Sequence, residues 1–309
     1  MIRDLFSARV IIGILASGIR LATPYLYAGL GETISQRSGV LNLGVEGQML
    51  LGAFAGFYVA LTTGNLWLAL LAAGLVGALM GLLMAFVSIN LQAKQGISGI
   101  GFYLFGLGLS DLLFQKLLGR VETVSGFTPL HFPWLSELPV VGRILFQHNI
   151  LVYIAFALVP LTWFLLNKTT LGLKIRAVGE NPDAADSLGV SVSRVRYFTV
   201  TLGGALSGVA GASLSIALLN VFQQNLTSGL GFIAVALVYF GGWKPGGVLI
   251  GALLFSMVNA LQLWVQTLGI PIPSEMAVMM PYLLTIVALV LAGQRAQTPS
   301  ALTKPFNRE

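Results

Sequence analysis

Asn42 and Glu46 stand four residues apart in GETISQRSGVLNLGVEGQML (residues 31–50), a stretch punctuated by Gly39, Gly44 and Gly47. If helical, that spacing puts an amide and a carboxylate on one face. Such groups are costly at membrane depth, where they line cavities or pair with each other. Two readings fit. In one, a broken helix walls or gates a polar path, because irregular backbone at depth is tolerated only against protein or water. In the other, the stretch is a cytoplasmic loop leading into a helix, with Glu46 favouring the positive N-terminal end. A second set, Asn259, Gln262 and Gln266, recurs at spacings of three and four. It forms an amide face that either lines a path or bonds neighbouring helices. Glu46 reads as the one strong acid at depth, with Glu32 and Asp111 nearer the ends of spans.

Other chemistry has little support. His131 and His148 lie 17 residues apart in a polar loop without a carboxylate cluster at metal-ligand spacing, and read as solvated. The chain has no cysteine, so thiol catalysis and cysteine metal sites are excluded. No phosphate-cradling GxxxxGK[ST] loop, nucleophile elbow or HExxH helix occurs. The sequence therefore predicts no catalytic residue, no metal and no cofactor held by this chain. The net charge of +6 comes without a basic run interleaved with aromatics, which argues against a nucleic-acid partner.

The elements that must position these groups are membrane spans. The chain is 56% hydrophobic and 9% charged, against about 25% charged in soluble domains. Residues 66–89 run for 24 positions without a charge, and about 20 apolar residues cross a bilayer as a helix. Lipid leaves free backbone groups unsatisfied, so the spans are helical. The fold class is all-α and polytopic, with about nine spans (eight to ten) in one transmembrane domain over 1–309. They fall near 10–30, 45–61, 66–90, 96–118, 149–167, 198–219, 229–242, 246–266 and 276–293. The seventh is short enough to be broken or half-crossing. The loop 119–148 suggests a short interfacial helix anchored by Trp134. Arg20 interrupts the first apolar stretch, which reads as a span rather than a cleaved signal.

Alternating from a cytoplasmic 168–197 loop puts eleven cations inside, among them Arg37, Lys94, Arg176, Arg196, Lys244 and Lys304. Five (Arg3, Arg9, Lys116, Arg120 and Arg143) fall outside. This bias predicts an external N-terminus and a cytoplasmic tail over about 294–309. Glycine pairs four apart, at 52–56, 77–81, 204–208 and 247–251, allow the close backbone approach that holds helices together in lipid.

The segment GLKIRAVGENPDAADSLGVSVSRVR (172–196) carries seven of the 28 charged residues. Asn181 is a good N-cap, Pro182 suits the first helical position, Asp183 favours the dipole, and Gly189 closes the helix. Ala184, Ala185 and Ser187 are small, where a membrane-lying helix would present Leu, Trp or Phe. The pattern predicts a short capped helix that docks into a groove of another protein, with rest at the lipid headgroups as the competing reading.

Residues 36–54 (QRSGVLNLGVEGQMLLGAF), 172–200, 228–249 (SGLGFIAVALVYFGGWKPGGVL) and 269–290 together resemble the permease subunits of bacterial ABC importers of the branched-chain amino acid and simple-sugar type, most of all the nucleoside permeases. Gln36 departs from that pattern, which has an acidic residue there. The resemblance implies a type II-like importer bundle in the bacterial inner membrane, paired with a second similar permease. It implies a cytoplasmic, commonly tandem ATPase holding ATP and Mg, and an external or lipid-anchored substrate-binding protein. Gly179, Glu180, Asn181, Ala184, Ala185 and Gly189 match the ATPase-coupling motif; Asn42 and Glu46 match the gate-region motif, with Asn259 added from the amide face. Nucleosides are the expected cargo. A simple sugar or branched-chain amino acid is the alternative, and a self-sufficient secondary transporter or channel is the reading from another class.

Overall fold

The computed structural model describes residues 7–138, 140–268 and 298–307, together with Pro273, Met276, Met279, Met280, Tyr282, Leu283, Ile286, Val287 and Val290. The chain folds into helices α1 (Ala8–Arg37), α2 (Val45–Thr63), α3 (Leu66–Ala85), α4 (Gln95–Leu113), α5 (Val141–Leu145) and α6 (Ile150–Lys168), then α7 (Thr170–Glu180), α8 (Pro182–Ser187), α9 (Val192–Ser213), α10 (Leu230–Phe240) and α11 (Pro245–Thr267). Single π-helical turns extend α3 to Asn90, α4 to Leu118 and α9 to Leu218. No strand forms among the described residues. Two isolated bridges, Thr123 to Val221 and Pro129 to Asn149, pin the loop 119–148 to the bundle.

Among the described residues, seven helices are long and apolar enough to cross a membrane: α1, α2, α3, α4, α6, α9 and α11. The seventh expected span is α10, with only 11 residues. The ninth, 276–293, falls mostly outside the described residues. Span ends agree with the hydropathy reading to within two residues except at α1, which continues from 30 to Arg37, and at α9, which begins at Val192 rather than 198. Its polar last turns stay helical because Thr33 and Gln36 bond back one turn, to the Gly29 carbonyl and the Glu32 carboxyl. The break comes later, over residues 38–44. The expected interfacial helix is the five-residue α5, and Trp134 before it is 86% exposed.

Helix α9 runs through the middle of the bundle, packed on α1, α2 and α3. The glycine pairs make this possible. Gly204 and Gly208 of α9 face Gly77 and Gly81 of α3, and Gly208 also meets Gly52 of α2. The pairs therefore serve packing within the chain. A Cβ on Gly208 would strike the Ala73 carbonyl. Gly208→Leu is expected to cost more than about 3 kcal/mol by overpacking, read as loss of the monodisperse species after extraction. Gly108→Leu, at a site with no atom within 4 Å, leaves it intact.

The loop 119–148 buries polar groups such as Ser136 and His148 and exposes apolar ones such as Leu130, Leu135 and Leu145. His148, expected to be solvated, is 4% exposed, and its Nε2 lies 2.7 Å from the Ile144 carbonyl. Burial pushes its imidazole below the ordinary histidine range, against the raising effect of that bond. His148 thus closes the α5 turn.

Candidate functional site

Eleven residues of helix rise about 16 Å, half of a hydrocarbon core of about 30 Å. Helix α10 ends in the turn 241–243, where the Trp243 carbonyl accepts from Arg37 Nε at 3.0 Å, at the same bundle end as the C-terminus of α1. The start of α10 therefore lies about halfway back along the bundle. Its first N–H groups have no intrahelical partner.

Glu46 supplies the partner. Its Oε1 accepts from Gly229 N at 2.6 Å and Thr227 Oγ1 at 2.5 Å, and its Oε2 accepts from Gly231 N at 2.5 Å. The side chain is 1% exposed and sits in the first turn of α2. One carboxylate thus lies between two helix N-termini, its own and that of α10, and both ends favour negative charge. These contacts hold the buried acid with no cation paired to it among the described residues. Gly231 is required by the approach: a Cβ there would lie 2.6 Å from Glu46 Cα.

Around this cap stand groups suited to a neutral, hydroxyl-bearing molecule. The buried Tyr25 hydroxyl lies near the Asn259 side chain and within electrostatic range of Glu46 and Tyr282. Tyr282 donates to the Ser228 carbonyl at 3.3 Å. Tyr25 therefore lies near two expected path residues, Glu46 and Asn259, that are distant in sequence. The amide face of α11 is not uniform: Asn259 is half-buried, Gln262 buried and Gln266 exposed.

Asn42 and Glu46 do not share a helical face, because α2 begins at Val45 and Asn42 stands in the preceding turn. The Asn42 amide N–H donates to Glu32 Oε1 at 2.9 Å, its Oδ1 accepts from Gly44 N at 3.0 Å, and its Nδ2 donates to Gln48 Oε1 at 3.1 Å. Glu32, expected near a span end, is as buried as Glu46. Its Oε1 also accepts from Gln36 Nε2 at 2.9 Å, and Gln36 Oε1 accepts from the Trp243 indole at 2.7 Å. The unusual amide at 36 is explained by these bonds: it must donate to one neighbour and accept from the other. A second acid there would set two carboxyls together.

The expected docking helix has the anticipated grammar. Asn181 Oδ1 accepts from Ala184 N at 3.0 Å, Pro182 opens α8, and Gly189 closes it with φ +83°. Its residues divide by direction. Ala185 is buried against Ile34, Leu166, Ile175, Val178, Val192 and Val195. Gly179 is buried so close to α1 that a Cβ would strike the Arg37 carbonyl. Glu180 Oε2 accepts from Ser300 Oγ at 3.0 Å. Asn181, Ala184 and Gly189 face outward, with Leu188 beside them at 85% exposure. Leu188 escapes a reading of the stretch as small and bland; a large apolar residue directly before a left-handed glycine is the signal that marks it. Among the described residues no group of three His, Asp or Glu is placed to hold a metal.

The comparisons with known proteins agree with this architecture. The family described as branched-chain amino acid transport system / permease component matches residues 14–289. A candidate glucose ABC transporter permease protein of Haloferax volcanii, TsgC13, is 40% identical over 96% of this chain and 98% of its own. The guanosine ABC transporter permease protein NupQ of Bacillus subtilis is 37% identical over 92% and 93%. The nucleoside ABC transporter permease protein NupC of Lactococcus lactis is 36% identical over 93% and 94%. No solved structure matches. With a match covering nearly all of the helical bundle, the chain belongs to the family of permease components of branched-chain amino acid transport systems.

Proposed function

We propose that this chain is the permease subunit of an ATP-driven importer for nucleosides. It forms part of the translocation path together with a second permease. The observation that carries the cargo is the likeness to NupQ and NupC over more than nine-tenths of each chain. The hydroxyl and amide groups of Tyr25, Asn259 and Tyr282 near Glu46 support it, since a ribosyl base needs hydroxyl and amide partners rather than a counter-charge. A sugar is the second reading, favoured by TsgC13.

Glu46 acts in the gate by holding the start of α10, and Asn42 by fixing the turn that leads into α2. The bundle end with Arg37, Arg196 and Lys304 is cytoplasmic, in keeping with the excess of cations there. A separate ATPase, which holds ATP and Mg, docks on α8, and an external binding protein delivers cargo at the opposite end. Closure of the ATPase moves α8 and biases the bundle between two states.

The test is uptake of labelled guanosine into proteoliposomes that hold the whole complex, with unlabelled nucleosides and glucose as competitors. ATP-dependent uptake blocked by nucleosides alone is expected. Blockage by glucose alone would transfer the assignment to a sugar. ATP-independent uptake by this chain by itself would replace the importer reading with a self-sufficient transporter.

A further inference from the structure

The charged end of the bundle is tied together by a segment that the permease reading leaves without a role. Ala301 N donates to the Gly179 carbonyl at 2.9 Å, at the end of α7. Thr303 N donates to the Gly39 carbonyl at 3.1 Å, in the turn between α1 and α2. Ser300 Oγ bonds Glu180, and Ala301 is only 3% exposed. Arg196 is 2% exposed and passes between the same pieces. Its Nε donates to the Ser38 carbonyl and its Nη1 to the Lys304 carbonyl, each at 3.2 Å. Gln92, between α3 and α4, bonds Asn307.

The groups that the segment satisfies are informative. Gly179 belongs to the last turn of α7, where carbonyls lack intrahelical partners, and Gly39 stands in a left-handed turn with φ +91°. Both carbonyls would otherwise need water. Two residues beyond Gly179 lies the cap of α8. Three residues beyond Gly39 lies Asn42, bonded to Glu32 and Gln48, and Glu46 follows within one turn. An unbroken run of close contacts and hydrogen bonds therefore leads from α8 to the α10 cap. Residues 300–304 clamp it where Gly179 packs against Arg37 and Gly39.

We propose that residues 300–304 and Arg196 form a clasp that fixes α7 and α8 to the 38–42 turn, so that the docking helix and the Glu46 cap move as one body. The transport role of the clasp rests on the permease reading; its rigidity does not. These are positioning residues, acting through α8 and the turn rather than on cargo.

The chain lacks cysteine, so Glu180→Cys with Ser300→Cys gives the only two thiols of this subunit, and the variant is assembled into the full complex. With the thiols free, cargo imported per ATP hydrolysed is expected to fall roughly two- to thirtyfold. A short, reducible bifunctional thiol reagent is expected to restore it. Import that stops on cross-linking and returns on reduction would overturn the clasp, since the segment would then have to detach in each cycle. An unaltered ratio with free thiols would overturn it equally. Amide hydrogen exchange on the purified chain gives a readout independent of transport. Truncation after Gln297 is expected to speed exchange severalfold in 38–42 and 179–190 together. Unchanged exchange in either segment overturns the clasp even if the importer reading fails on its own uptake assay.

Discussion

Glu46→Gln lowers uptake by about tenfold or more while the complex still assembles. The glutamine keeps one oxygen, enough for Gly229 N and Thr227 Oγ1, but turns its NH2 toward Gly231 N, where the carboxylate now accepts at 2.5 Å. A donor then faces a donor on a residue that is 1% exposed. Leaving one buried N–H unmet costs about 1–3 kcal/mol, and each 1.4 kcal/mol is a factor of ten in an equilibrium. That penalty falls on the state in which α2 and α10 are capped together, so it moves the balance between transport states. Gly231→Ala tests the same contact from the other side, because its Cβ would lie 2.6 Å from Glu46 Cα. Initial uptake rates and a thermal melt separate the outcomes: both variants lose uptake, with the melting midpoint lowered by only a few degrees. Normal kinetics in both would show that the α10 cap has no part in transport.

Why Glu46 was legible only in part follows from what each kind of signal reports. Its depth and its preference for a helix N-terminus can be read from the neighbouring glycines and apolar residues. That the helix it caps is α10, some 185 positions away, is a tertiary fact that no local spacing carries. Periodicity misplaced Asn42 for a similar reason. The polar residues 31–37 read as a broken stretch, yet each finds a buried partner, so α1 stays helical through them and the break shifts to 38–44. Buried polar groups in a bundle are settled by distant neighbours, as the Gln36–Trp243 bond illustrates. By contrast the α8 helix was readable almost residue by residue, because N-cap, proline and left-handed glycine act within nine positions. The glycine pairs were readable as packing devices, but not that α9 would be the helix on which they converge. The direction of each α8 side chain was not readable, since six residues make too little helix to show a periodic face. Ala185 belongs to the core and Glu180, the last residue of α7, to the 300–304 segment, while Asn181, Ala184, Leu188 and Gly189 lie exposed.

Leu188→Asp should release the ATPase without disturbing the bundle. At 85% exposure Leu188 makes almost no contact within its own chain, and substitutions at such positions usually change stability by less than about 0.5 kcal/mol. A leucine held out on a capped turn is a poor choice for a free surface and a good anchor for an apolar pocket. Anchors near the centre of an interface are worth about 2 kcal/mol or more, a loss of roughly thirtyfold in affinity. Putting a carboxylate in that pocket adds the desolvation of a charge. The expected result is an inserted, well-folded permease that no longer retains the ATPase on affinity purification and no longer imports cargo. Ala184→Trp, also exposed and one turn back, should act in the same direction by steric blockage. Ala185→Trp makes the contrast, because that side chain is 2% exposed and its enlargement should damage folding instead. A Leu188→Asp complex that purifies intact and imports normally would mean that Leu188 rests among lipid headgroups, and that the ATPase grips α8 through its backbone and polar residues alone.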